Sequence, residues 1–468
     1  MMEGFEHKGK WWLPGEEDSQ IDGTLTYSPA DGAILELSGA FGDLSRAIGR
    51  QGLSTARIIL GTTASGNRIS LLNCAESHRS LGAVYGPGYA TTSYRVQVAL
   101  VGTHFPSYEE VTFASLHVHY SHLDAWSDFQ YFDYAQEEGV KKISYTSPAP
   151  TVAHLGDGVT ISVTSAGSER WEGSPVTCVT IEREARIGIQ IGERAHFDEF
   201  LNPIRLTQIF LSLGVGAAVH PMKVTGSRQE MVEDVMIPRP VEIFYRPPRA
   251  APPQRTLLPS DMTFTLAGIT DRFEPFLRNW FDNADLLRPV VNLYFATLPE
   301  SVMFAEQRFL TLTRALESFH RQRHGGQYLS PEKYTPAREE LVAAIPDWIS
   351  GDHRDALRTR LKYGYEYSLR KRLGDLFDAH EPVLRDVFPD TTTFIDKIVK
   401  TRNYLTHYDE DDSQDAAIDG LELHRLATEL RTLLEVCLLS EIGFTPEEIC
   451  KQVQEICSRR VIEGIEYE

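Results

Sequence analysis

Near residue 270 the spacing of apolar residues changes from every second position to every third or fourth, and no single-layer architecture accommodates both periods. From residue 20 to about 190, short alternating runs are broken by Gly, Asp and Ser, as in Gly23–Tyr27, Ala33–Ser38, Arg57–Gly61, Asn67–Cys74, Tyr94–Val101 and Thr112–Tyr120. That alternation predicts antiparallel strands with one wet face, and Ala64–Asn67 reads as a hairpin turn between two of them. Further strands are expected at Val159–Thr164, Pro175–Ile191 and Val241–Tyr245. They are interrupted by one amphipathic helix over 197–212, whose stripe is Phe197, Phe200, Leu201, Ile204, Ile209, Phe210 and Leu213.

Beyond 270 the pattern is helical throughout. The expected helices are Arg272–Asp282, Val302–Arg323, Pro336–Ala344, Asp352–Lys362, Tyr365–Ala379, Thr391–Thr406, Ile418–Ile442 and Pro446–Arg460, the last with Thr445 as N-cap. The fold class that follows is α+β and multidomain: a β-rich antiparallel N-terminal half and an all-α helical bundle. The proline-rich segment RPPRAAPPQR, at 246–255, reads as a surface connection. We expect domains at 1–265 and 301–468, joined by connecting helices over 266–300.

Composition removes several classes of function. The 468 residues carry a net charge of −20, so the molecule as a whole repels phosphate backbones and any nucleic-acid contact needs a local basic patch. The 5 cysteines include no C-x-x-C pair, which argues against a disulfide framework or zinc cluster and for core thiols in a reducing cytoplasm. No secretory leader and no membrane-spanning run are apparent. The minimal parts of a P-loop, a dinucleotide fold, a serine-hydrolase elbow and a zincin are all missing. His117, His119, His122 and Asp124 could suggest a metal, but Ser115 and Ser121 share their strand face, so we read a polar face and expect no metal or cofactor.

The most informative stretch is Phe394–Asp409. Ile395, Ile398 and Val399 form an apolar stripe on a helix, and its next position, seven residues after Ile395, is Arg402. Either this arginine is buried against a carboxylate such as Glu317, or it serves chemistry together with Asn403 and His407. Asn403 and His407 share a helix face. Arg402 and His407 lie about 140° apart on an ideal helix, so they converge only if its end frays. The run Asp409–Asp412 opposes the helix dipole and would favour such an end, and its field would favour imidazolium at His407. A second arginine–histidine pair, Arg314 and His320, lies inside a helix without an end signal and reads as scaffold.

R-N-x-x-x-H at the end of a helix in a bundle resembles the R-x(4–6)-H motif of the HEPN superfamily, whose catalytic members are metal-independent ribonucleases. The helix RFLTLTRALESFHR resembles the first long helix of HEPN domains, where a carboxylate, here Glu317, often supports the motif arginine. In the N-terminal half Gly9, Trp11, Leu13 and Pro14, the strand pair around Ile59–Gly61 and Ile69–Cys74, and Leu123, Asp124 and Trp126 resemble ApeA-type anti-phage proteins, which join such a domain to a HEPN domain. The resemblance implies an endoribonuclease acting in abortive infection, with catalytic Arg402, Asn403 and His407, a homodimer whose two motifs face each other, and an N-terminal domain that responds to a phage-derived trigger or restrains the enzyme.

An RNA substrate needs a cationic path on this acidic protein. The densest basic run holds Arg354, Arg358, Arg360, Lys362, Arg370, Lys371 and Arg372, with Tyr363, Tyr365 and Tyr367 interleaved for base stacking. The rival reading is a non-catalytic binding protein whose β-rich half recognises a ligand and whose Arg402 is a structural ion.

Overall fold

The alternating half of the chain forms strands β1 to β16, and every pairing in its main sheet is antiparallel. The structure is a computed structural model that describes residues 3–41, 55–80, 91–137, 139–232, 235–246, 256–298, 303–407 and 415–465. It divides into two compact units, Met1–Phe281 and Asp282–Glu468. Residues 247–255 of the proline-rich segment and the Asp409–Asp412 run lie outside the described residues.

In the first unit, β1 (Phe5–Trp12), β2 (Ile21–Ser28), β3 (Gly32–Leu37), β4 (Thr55–Thr63), β5 (Arg68–Ser80) and β6 (Thr91–Val101) close into a barrel, in the order β6-β3-β2-β1-β4-β5 and back to β6. Closure leaves no free edge within this ring. Trp11, Leu25, Leu35, Ile59, Ile69, Leu71 and Leu100 are all fully buried. Trp11 lies over Gly61, where an added Cβ would meet its ring at 2.2 Å, so the Trp11 and Gly61 motif residues are a packing pair.

The C-terminal end of β6 also pairs with β16 (Val235–Tyr245), which leads into the remaining strands in the order β16-β15-β8-β13-β12-β11, the last being Thr151–His154. Here β8 is Ser115–Tyr120, β12 is Val159–Glu172, β13 is Cys178–Ile191 and β15 is Pro221–Val232. The sequence reading anticipates only the end of the β15–β16 hairpin. Its outer part exposes Met231 and Ile237, so burial imposes no alternation there.

Helix α1 (Leu123–Ser127) buries Leu123 and Trp126, and the Asp124 carboxylate accepts from the Ala185 amide of β13 at 2.6 Å. Helix α2 (Phe197–Val215) begins at a capping box formed by His196 and Glu199 and ends at Gly216, whose φ is 75°. Its buried face includes Phe197, Phe200, Ile204, Ile209, Phe210 and Leu213, each contributing about 1.5–3 kcal/mol. Leu201, expected in that stripe, is instead 48% exposed. Short α3 (Leu266–Ile269) and α4 (Phe273–Asp282) also belong here, with Trp280 Nε1 donating to the Leu206 carbonyl of α2 at 3.0 Å.

The second unit is helical: α5 (Ala284–Ala296), α6 (Ala305–His324), α7 (Pro331–Ala343), α8 (Gly351–Lys362), α9 (Leu369–Ala379), α10 (Glu381–Leu384), α11 (Thr391–His407), α12 (Gly420–Ile442) and α13 (Pro446–Ile465). The long helix α6 packs against α5, α9, α11 and α12 and buries Phe309, Leu312, Leu316 and Phe319. Helix α7 starts five residues before the expected Pro336, because Ser330 caps it and Pro331 takes its first turn. Helix α9 starts four residues late, at the Ser368 cap. Cys74 and Cys437 are core thiols as expected, whereas Cys178 is exposed. No described helix is long and apolar enough to cross a membrane.

Candidate active site

Helix α11 is held from its first turn, where the Asp390 carboxylate accepts from the Thr393 amide at 3.0 Å, to its last. Ile395, Ile398 and Thr401 are buried. Lys397 pairs with Glu422, Lys400 pairs with Asp415, and the Thr401 hydroxyl accepts from the Ala417 amide at 2.9 Å. The buried stripe therefore continues through Thr401 and not through Arg402, which lies one position round the helix and is half-buried.

Arg402 Nη1 donates to Asn403 Oδ1 at 3.3 Å. Among the described residues no carboxylate pairs with Arg402, and no hydrogen bond or ion pair joins it to Glu317. Glu317 instead exerts its negative field on Arg372. Among those residues Arg402 thus has one hydrogen bond, to Asn403, and keeps most of its guanidinium donors for another acceptor. His407 is exposed at the last turn and shares a face with Asn403. The helix runs unbroken to His407, so the fraying that would bring Arg402 and His407 together does not occur within the described residues.

The basic run separates into two environments. On α8, which buries none of its residues, Arg358, Arg360 and Lys362 are exposed. Arg358 pairs with Asp355 at 3.3 Å, while Arg360 and Lys362 form no ion pair among the described residues. On α9, Arg370 pairs with Asp396 and Lys371 with Asp375. Arg372 departs from the expectation of a surface cation: it is 3% exposed, because its guanidinium is drawn inward by carbonyl acceptors. Tyr363 is 53% exposed, but Tyr365 and Tyr367 are half-buried against Tyr334 and Tyr328, so only Tyr363 of the three is well presented for stacking. Trp348, between α7 and α8, is 80% exposed and was missed, although a tryptophan beside Pro346 and Asp347 in a helix–helix connection is a signal that residues alone supply.

Arg372 and His320 form a buried polar node between α9 and α6. Arg372 Nη1 lies 3.2 Å from His320 Nδ1 and donates to the Gly325 carbonyl at 3.1 Å, Nη2 reaches Gly326 O at 3.3 Å, and Nε reaches Tyr367 O at 3.3 Å. Since guanidinium only donates, His320 Nδ1 accepts and Nε2–H donates to Asp375 Oδ2 at 3.1 Å. Burial, reinforced by the charge on Arg372, holds His320 below the usual imidazole range despite Asp375. A neutral, fully buried imidazole with both nitrogens engaged is a brace between helices.

Elsewhere, His119 Nδ1 contacts the Ala185 carbonyl at 2.9 Å and Nε2 lies 3.7 Å from Asp124, so this histidine helps fasten α1 to β13. Among the described residues no group of three His, Cys, Asp or Glu is arranged to hold a metal ion.

A closed antiparallel barrel extended by a second run of strands in one unit and a helical bundle in the other give the two-domain architecture of a protein with a C-terminal HEPN bundle. Family models agree: residues 6–280 match ApeA N-terminal domain 1 and residues 310–448 match Apea-like HEPN. The chain belongs to the ApeA family. No curated protein and no solved structure matches it.

Proposed function

We propose that the helical unit is a metal-independent endoribonuclease and that the whole chain is a cytoplasmic abortive-infection effector against phage, with the β-rich unit sensing a phage-derived trigger or restraining cleavage. The observation that carries this reading is the half-exposed Arg402 hydrogen-bonded to Asn403, with no carboxylate pairing among the described residues and an exposed His407 one turn on. In the reaction the RNA 2′-oxygen attacks phosphorus and the 5′-oxygen leaves, giving a 2′,3′-cyclic phosphate and a 5′-hydroxyl. Arg402 meets the charge building on the non-bridging oxygens, Asn403 orients the sugar hydroxyl or the imidazole, and His407 moves the proton.

One imidazole does not readily serve as both base and acid, and Arg402 and His407 are not bonded to each other within one chain. The reading therefore takes two copies, with the motifs facing across a homodimer. The substrate path is the exposed face of α8, through Arg358, Arg360 and Lys362, continued in sequence by the exposed Arg370 and Lys371 of α9, with Arg372 removed to the interior. The test is His407→Ala: a variant that folds and assembles as the parent does but loses RNA cleavage and cellular toxicity supports the assignment, and unchanged cleavage sinks it.

A further inference from the structure

Three side chains of α11 tie its last turns to the segment that leads into α12. Lys397 pairs with Glu422, Lys400 pairs with Asp415, and the Thr401 hydroxyl accepts from the Ala417 amide at 2.9 Å. Residues three and four apart share a helix face, so all three attachments are made by one side of α11. Arg402, Asn403 and His407 fall between Thr401 and Ala417 in the chain, so this one bond closes the stretch that carries the whole candidate site.

The three attachments are unequal. Both ion pairs are partly exposed, and water and salt weaken them. Thr401 and Ala417 are fully buried, where an amide deprived of its acceptor finds no water in exchange. Within the last turn the Thr406 hydroxyl donates to the Arg402 carbonyl at 2.7 Å, a bond that ties the turn only to itself. A helix end without outside partners frays, because its last carbonyls lack intrahelical donors, and the acidic run that follows in the sequence opposes the helix dipole.

We propose that Thr401 is a positioning residue for the candidate active site: by accepting from the Ala417 amide it fixes the last turn of α11, and with it the directions in which Arg402, Asn403 and His407 leave the helix. The catalytic consequence rests on the ribonuclease reading of this site, whereas the fixing of the turn does not. What the position requires is the hydroxyl. Valine has nearly the shape of threonine but no acceptor, and serine keeps the acceptor without the methyl group.

The experiment compares Thr401→Val, Thr401→Ser and Ile398→Val in the full-length protein, by steady-state RNA cleavage and by amide hydrogen exchange. In the parent the Ala417 amide should exchange at least about a hundredfold more slowly than an exposed amide. Thr401→Val should lower kcat by about ten- to a hundredfold with KM within about twofold, and should speed exchange over residues 402–407 by about tenfold or more while leaving the β-rich unit unchanged. Thr401→Ser should keep kcat within about threefold of the parent. Ile398→Val, which trims the buried face of the same helix, should lower the melting temperature and keep the parent's kcat, which separates positioning from loss of stability. The proposal is overturned if the parent's Ala417 amide exchanges freely, if the valine variant keeps the parent's exchange or its kcat, or if Thr401→Ser or Ile398→Val loses as much kcat as Thr401→Val. A parent that cleaves no RNA overturns the ribonuclease reading instead, and hydrogen exchange then decides by itself whether Thr401 fixes the turn.

Discussion

Arg372 Nη1 donates to His320 Nδ1 over 3.2 Å in the interior of the helical unit, and the opposite nitrogen of that ring reaches Asp375 at 3.1 Å. Loop carbonyls of Gly325 and Gly326 share the same guanidinium, so one arginine joins the end of α6, the turn after it and the start of α9. Gly326 has φ 124°, and an added Cβ would meet Arg372 Nη1 at 2.3 Å; the turn needs glycine there for both reasons. Burial thus separates Arg372, a structural cation, from the exposed Arg358, Arg360 and Lys362 of the same basic run.

Arg372→Ala should lower stability by about 3 kcal/mol, since it strands buried acceptors on His320, Gly325, Gly326 and Tyr367. Denaturant unfolding of the full chain measures this. Arg360→Ala, on the exposed face of α8, should change stability by less than about 0.5 kcal/mol. Equal effects from the two would contradict the buried node.

Acid should weaken the helical unit through His320. Its folded-state pKa lies below the unfolded value of about 6.5, so the unfolded chain binds the proton more readily. The stabilisation is present in full above pH 6.5 and is lost as pH falls from there toward the folded value, at up to about 1.4 kcal/mol per pH unit for this one group. Melting curves between pH 5 and pH 8 should show the decline, and a folded His320→Gln variant should show a shallower one. Parallel pH profiles would remove His320 as the source.

Arg402→Ala should leave the melting temperature close to that of the parent, because the side chain is half-exposed and has no carboxylate partner among the described residues. Cleavage should fall by about two to four orders of magnitude, and Arg402→Lys should restore little of it, since an ammonium lacks the bidentate fork. A large melting-temperature drop in the alanine variant, with activity kept by the lysine variant, would refute the phosphate-clamp role.

Charge reversal at Arg358, Arg360 and Lys362 should weaken RNA binding and flatten its dependence on salt, each lost phosphate contact removing roughly 0.7 from the slope for a single strand. Trp348→Ala should weaken binding by about 1–3 kcal/mol if a base stacks on this 80% exposed ring, with little change in salt slope. Filter binding at several salt concentrations separates the two effects. Unchanged affinity in the charge-reversed protein rules out α8 as the path.

Cleavage should persist in EDTA, because the proposed mechanism meets the phosphate charge with Arg402 alone. Loss of activity on chelation, restored by Mg²⁺ or Mn²⁺, would replace that mechanism with a metal-assisted one.

Much of the candidate site was legible because its residues are close in sequence. Arg402, Asn403 and His407 occupy the end of one helix, and helical spacing relates them without tertiary information. The partner suggested for Arg402 was a different matter. Glu317 is on another helix, and among the described residues it forms no hydrogen bond or ion pair with Arg402, its negative field acting on Arg372. His320 read as scaffold from its place inside a helix, and it is a fully buried brace, but neither Arg372 nor Asp375 could be named from sequence, since both come from α9.

By itself the sequence determined which kind of secondary structure forms and where it changes, because side-chain period is a local property: two for a half-wet strand and 3.6 for a helix. It also determined a chain without a globally basic surface, since net charge is a sum over residues. Only the tertiary structure decided that β5 returns to β6 to close a barrel and that Trp11 covers Gly61. It likewise decided that neighbouring cations on α8 and α9 have opposite fates. Each of these depends on which distant segments meet, and a residue's burial is set by those partners and not by its neighbours in the chain.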